Sequence, residues 1–220
     1  MEWITARIAK RSPSGTQLVA LELDHVPADY VNPGQFLQVT VGDLKPAYYA
    51  LASSPGEPIL LLVKNDGPMG SALANVQVGD SVRITPPIGK GFPLAQVDGL
   101  DLVILCNGSG ISAARPVIRS EIARGLPRKV TFYLGVLSED RIAFAEELAG
   151  WRTAGVDVQV ILQLPTPGFR DGFVQGAAAI DGWVRPDVGV VLVGVPQMIE
   201  QARALYLSVG ANAEHLLVNF

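Results

Sequence analysis

The chain changes its hydrophobic rhythm near residue 97, and that change limits its possible folds more than any other feature. Before it, the short apolar runs TARIAK, TQLVALEL, FLQVTV, AYYALA, ILLLVK and SVRIT are separated by turn-forming stretches such as NPG, SSPGEP, NDGPMG and VGD. Short β-prone runs punctuated by Gly and Pro read as a small barrel or sandwich. Gly15, between the first two runs, points to a hairpin, and SALANV alone in this half has room for a turn or two of helix. After residue 100, apolar strands alternate with helix-compatible stretches. LVILC leads to SAARPVIRSEIARG, KVTFYLG to AFAEELAGW and on to DVQVILQ, VGVVLVG to PQMIEQARALYLSVG, and HLLVNF closes the series. Parallel strands need crossover connections, so this alternation argues for a parallel sheet with helices on both faces. The expected architecture is an all-β barrel over residues 1–97 followed by an α/β domain with a five-stranded parallel sheet over residues 98–220.

Composition narrows the function classes. With 49% hydrophobic and 17% charged residues, the chain has ample material for a core. A net charge of −4 and the lack of any Lys/Arg-rich run argue against nucleic acid as a partner. Its one cysteine, Cys106, cannot form an internal disulfide or supply the four ligands of an iron–sulfur centre, and within LVILC it reads as a buried small hydrophobe. His25 and His215 have no partner at metal-ligand spacing, so no metal site is expected. The N-terminus has no continuous apolar core of the kind a secretory signal needs, and no run approaches the roughly 20 apolar residues of a membrane helix. A cytoplasmic location is expected.

Two glycine turns in the second half carry chemistry. In LVILCNGSGISAAR, Gly108, Ser109 and Gly110 fall between an apolar strand and a helix, where backbone can approach a pyrophosphate and free helix N–H groups can bind it. Ser112 is placed to cap that helix. In VVLVGVPQMIE, Gly194 and Pro196 again follow a strand and open a helix. Either turn could instead be an ordinary strand-to-helix connection. In the first half, KPAYYALASSPGEP sets Tyr48 and Tyr49 against small residues. Such a pair serves cross-strand packing or the close approach of a planar ligand.

Taken in order, these motifs resemble the ferredoxin–NADP reductase family along nearly the whole chain. PGQF at Pro33–Phe36, YYALASSP, GPMGSAL at Gly67–Leu73, VGDSVRITPPIGKGF, GSGISAAR and GVPQM each match a family signature, and LLVNF resembles the plant fruit-protein-like branch. The resemblance implies an FAD-binding Greek-key-type barrel, a pyridine-nucleotide domain, and hydride transfer from NADH or NADPH to flavin. An electron-acceptor protein is the implied partner besides the nucleotide. It further implies that Tyr49 stacks on the flavin, with Ala50, Leu51, Ala52 and Ser53 around the ring. Gly70, Ser71 and Ala72 would bind the FAD pyrophosphate, with Lys64 compensating for a missing arginine. Gly108, Ser109, Gly110, Ile111 and Ser112 would hold the nucleotide phosphates, Gly194, Pro196 and Met198 the nicotinamide end, and Phe220 the other flavin face. No side chain is implied as a general acid or base, because the cofactors carry the reaction.

The sequence departs from the family pattern at Ala47, where an arginine meets the pyrophosphate, at Ala50, where a serine lies near flavin N5, and at Val193, where a cysteine lies near the nicotinamide. A charge-assisted hydrogen bond contributes about 1.5–3 kcal/mol, so losing the arginine weakens FAD binding without abolishing it. These departures keep open a non-catalytic scaffold or regulatory subunit on the same fold. After KVTFYLG, Glu139 and Asp140 would repel a 2′-phosphate and only Arg141 would attract it, which weighs towards NADH.

Overall fold

The computed structural model describes residues 2–219. In the first half, strands β1 (Ile4–Pro13), β2 (Leu18–Leu23), β3 (Phe36–Thr40), β4 (Ala47–Ala50), β5 (Leu60–Lys64) and β6 (Ser81–Ile84) form one antiparallel sheet in the order β4-β3-β6-β1-β2-β5. The sheet curls until its two edge strands meet, but β4 and β5 touch only through a bridge between Leu51 and Leu61. The barrel is therefore open along the rest of that seam. Alternation sends Leu37 and Val39 of β3 into a dry core with Leu21, Leu61 and Ile84, all of them fully buried. Helix α1 (Gly67–Asn75) follows β5 and plugs one end with Leu73.

The second half is a parallel sheet of β7 (Asp101–Asn107), β8 (Val130–Val136), β9 (Asp157–Leu162), β10 (Arg170–Asp171), β11 (Val188–Val193) and β12 (Leu216–Leu217). Its order is β10-β9-β8-β7-β11-β12. One more strand is present than the sequence pattern indicates: β10 is two residues long, too short to show a period. Helices α2 (Ile111–Ala123), α3 (Ala145–Ala154), α4 (Val174–Ile180) and α5 (Pro196–Ser208) cover the faces. That double cover explains why every residue of β8 and β11 is buried. Cys106 lies inside this core, where burial pushes its thiol pKa up.

The two sheets share packing. Leu18 and Leu62 of the barrel belong to the same apolar cluster as β7, β8 and α2. Thr16 N–H donates to the Asp140 carbonyl at 2.6 Å, and Arg128, ion-paired to the fully buried Glu121, donates to the Val97 carbonyl at 2.6 Å. The chain order reverses direction between β7 and β11, so the connections leaving their carboxyl ends part to either side and leave a crevice facing the open barrel seam.

Candidate functional site

A cleft of about 810 Å³ runs from the barrel seam to that crevice, within the size range of small-molecule sites. One wall is made by Ala47, Tyr48, Tyr49 and Ala50 of β4, with Leu62 and Lys64 of β5 opposite them. The other wall holds Asn107, Gly108, Ser109, Gly110 and Ser112 from the β7–α2 turn, and Val193, Gly194, Val195 and Pro196 from the β11–α5 turn.

On β4 the adjacent tyrosines part company. Tyr49 pairs with Leu37 and turns inwards beside the barrel core at the seam, where burial raises its hydroxyl pKa. Tyr48 pairs with Gln38, is 64% exposed, and meets Phe36 edge-on at 5.6 Å between ring centroids. Leu51, Ala52 and Ser53 do not reach the cleft. All three are buried, and their backbone groups are taken: Leu51 N–H by Gln35, Ala52 N–H by Leu60, the Ala52 carbonyl by Arg115 and the Ser53 carbonyl by Tyr30. Lys64 lines the cleft but is ion-paired to Asp66 at 2.9 Å.

Helix α1 begins at Gly67, so Gly70, Ser71 and Ala72 are its fourth to sixth residues and their N–H groups enter the helical ladder. By position, the donors left without a helical partner at its start belong to Gly67 and Met69, since Pro68 has none, and the Gly67 N–H lies against the Asp66 carboxylate. Gly70 is needed for packing, because a Cβ there would collide with the Lys64 carbonyl oxygen.

At the crevice, Gly108–Gly110 form a tight turn before α2. The capping expected of Ser112 is corrected by the structure. Ser112 is already the second residue of α2, and its hydroxyl donates to the Ser109 carbonyl at 2.8 Å instead of accepting from a backbone N–H. Ile111 is fully buried behind the turn. Gly110 lets the two turns touch, as a Cβ there would come 2.7 Å from Val193 Cγ1. Gly194 has φ +144°, and a Cβ on it would overlap the Asn107 side chain. Asn107 Oδ1 accepts from Val195 N–H at 2.9 Å and so ties the two turns together. Asn107 sits in the quoted motif, yet only its contact across the crevice marks it as part of the site.

A smaller pocket of about 280 Å³ continues past Asn107, Gly135, Gln163 and Val195. Phe173, Gln175, Gln197, Met198 and Gln201 complete it. Phe173 is 64% exposed. Gln175 Nε2 donates to Gln201 at 2.7 Å, while its buried Oε1 has no partner within the protein. No charged residue lines this pocket. Met198 is thus on a ligand-sized surface, apart from the main cleft. The glutamines come from three separate elements, so no sequence window shows them together. Leu137 and Arg141 line the main cleft, whereas Glu139 and Asp140 line neither space. Asp140 instead accepts from Ser138 Oγ at 2.5 Å, and that bond together with one from Thr16 holds its carboxyl below the usual range. Phe220 lies outside the described residues. Among those residues, no group of three His, Cys, Asp or Glu could hold a metal, and no helix is long and apolar enough to cross a membrane.

The cleft suits a long, bent cofactor pair: a seam with unpaired strand edges and an aromatic beside it, glycines that let the two turns close against each other, and an orphaned amide oxygen at the far end. No protein-family model matches the chain. It is 27% identical to the fruit protein pKIWI502 of Actinidia deliciosa, over 98% of this chain and 76% of that protein. The crystal structure of Amycolatopsis cytochrome P450 reductase GcoB superposes with a TM-score of 0.86 at 23% identity, over 98% of this chain and 68% of that one. The flavohem-like FAD/NAD binding domain of nitric oxide dioxygenase from Vibrio cholerae superposes with a TM-score of 0.83 at 20% identity, over 97% and 96%. Both solved structures share this fold: a six-stranded barrel-like sheet joined to a parallel sheet.

Proposed function

We propose that this chain, built on the ferredoxin–NADP reductase-like fold, is an FAD-dependent oxidoreductase that takes a hydride from NADH or NADPH and passes electrons to a separate acceptor protein. The observation that carries this reading is the single cleft joining the open β4–β5 seam to the β7–β11 switch point. We take residues 1–97 as the flavin-binding domain and 98–220 as the nucleotide-binding one. When bound, FAD supplies a two-electron acceptor, so that NADH leaves as NAD⁺ and the electrons go on to the acceptor.

The chain's own residues then bind, orient and exclude water. Tyr49 offers its ring at the seam, and the facing edges of β4 and β5 offer unpaired N–H and carbonyl groups to the polar rim of a flat heterocycle. The Met69 N–H at the start of α1 suits a phosphate, with Lys64 balancing the nearby Asp66, whose carboxylate already engages the Gly67 N–H. Gly108 to Ser112 turn the backbone into α2 beside the nucleotide phosphates, and Asn107 holds Gly194 and Val195 close to them. Phe173 offers a flat apolar face and Gln175 a free amide oxygen, which suit an adenine. No proton transfer by a side chain is needed.

Support for the cofactors comes from the FAD/NAD binding domain that shares this fold over nearly its whole length, and for a protein acceptor from the P450 reductase. A cytoplasmic location agrees with a substrate that is an intracellular nucleotide. The rival reading, a non-catalytic subunit on the same fold, is favoured by one feature: with Ala47 in place of an arginine and Lys64 already paired, the flavin wall offers no free cation among the described residues. Purified protein is expected to be yellow, and cofactor released by heat to have the mass of FAD. FMN, or no binding of added FAD, would overturn the proposal.

A further inference from the structure

We propose that Arg115 and Arg119 of α2 form a latch that sets the flavin-side strand at a fixed distance from the nucleotide turn, making them positioning residues for the reaction; this rests on the function proposed above. The two lie four residues apart and so share one face of α2. Arg115 is almost fully buried and donates through Nη1 to the Ala52 carbonyl at 2.5 Å. Its Nε lies 2.9 Å from both Glu147 oxygens, so α3 holds the guanidinium from behind, and the Phe144 ring lies 5.1 Å from its Cζ. Arg119 makes two parallel bonds of 2.7 Å to Glu57. Glu57 in turn accepts from Ser54 N–H at 2.9 Å.

The consequence follows from chain connectivity. Gly110 directly precedes α2, so the nucleotide turn is rigidly coupled to both arginines through one helix. Ala52 is two residues beyond Ala50, so the grip on its carbonyl is transmitted to Tyr49 through a few residues of buried backbone. Packing of Leu18 and Leu62 holds the two halves together but is non-directional, whereas forked arginine bonds fix distance and angle. A misplacement of about 1 Å between reacting partners costs on the order of a hundredfold in rate. Fixing this distance is therefore where two remote arginines can act on the reaction without touching it.

The test uses Arg119→Ala, and Arg115→Lys in place of a full truncation that could prevent folding. In cofactor-free protein, amide exchange across residues 51–57 should accelerate about tenfold or more as the segment opens locally. In FAD-loaded protein, the limiting rate of flavin reduction by NADH should fall about ten- to a hundredfold while the FAD dissociation constant changes less than about threefold. The charge swap Arg119→Glu with Glu57→Arg should recover most of the limiting rate and part of the exchange protection, short of the Ser54 N–H, from which an arginine at 57 cannot accept. Unchanged exchange, or faster exchange with a limiting rate within about twofold of wild type, overturns the latch alone. A wild-type protein that binds FAD but is not reduced by NADH overturns the proposed function, and the latch's positioning role with it.

Discussion

Tyr49→Ala should weaken flavin binding far more than Tyr48→Ala, although the two residues are neighbours and both line the cleft. Tyr49 stands opposite Leu37 on the inward face of β4, beside the open β4–β5 seam. Tyr48 stands opposite Gln38, is 64% exposed as a residue, and meets the Phe36 ring edge-on. A stacked aromatic contributes about 1–3 kcal/mol to holding a flat heterocycle, by analogy with base stacking, which is roughly 5- to 150-fold in affinity. The Tyr48–Phe36 contact is a T-shaped pair contributing about 0.5–1.5 kcal/mol to the fold, and losing it leaves the seam intact. Tyr49→Ala also removes packing from the barrel core, so Tyr49→Phe serves as control. It keeps the ring and should bind FAD within about fivefold of wild type, since one hydrogen bond contributes about 1 kcal/mol. Titration of each apoprotein with FAD, followed by flavin fluorescence, gives the affinities. Equal losses in the two alanine variants, or a larger loss for Tyr48, would show that the ring lies on the outer face of β4.

NADH should reduce the flavin more readily than NADPH, because the smaller pocket offers amides and Phe173 but no cation for a 2′-phosphate; stopped-flow reduction favouring NADPH would place that phosphate by Arg141 instead. Gly194→Ala should cost about 2–3 kcal/mol of stability by denaturant unfolding, from left-handed strain plus loss of the Asn107–Val195 bond, and should weaken nucleotide binding; a change below about 0.5 kcal/mol would mean the crevice is not so tightly tied. Burial tends to raise the Glu57 pKa, but bonds from Arg119 and Ser54 N–H outweigh it and hold the carboxyl below its usual range. Its stabilising effect is therefore complete above the unfolded value of about 4.3 and disappears as pH falls through the lower folded value. Glu57→Gln should flatten that acid-side loss in unfolding experiments, and an unaltered acid limb would exclude Glu57 as its source.

Much of this fold was legible because burial imposes a period. β8 and β11 are covered on both faces and read as continuous apolar runs, and the hairpin of β1 and β2 was visible from its turn. β10 and α4 were not, being two and seven residues long, too short for a pattern to accumulate. In the site, the motifs located the cleft walls, but sequence could not say which backbone groups were already spent. Ala52 and Ser53 looked available as neighbours of Tyr49, yet their carbonyls are held by Arg115 and Tyr30 from 63 and 23 residues away. Asn107 and the four glutamines were missed for the same reason, since they become a site only when separate strand ends converge. Nor does any sequence window show that Glu139 and Asp140 line neither space, Asp140 being held instead by Ser138 and by Thr16 of the barrel's first turn.

The most direct test of the central claim is anaerobic addition of NADH to FAD-loaded protein while the flavin absorbance is followed. The flavin should bleach, one equivalent of NADH should suffice per FAD because a hydride carries two electrons, and admitting an acceptor should restore the colour. Protein that binds FAD stoichiometrically yet keeps its oxidised spectrum under excess NADH and NADPH would contradict it, and would leave Ala50 and Val193 as marks of a scaffold that has lost the reaction.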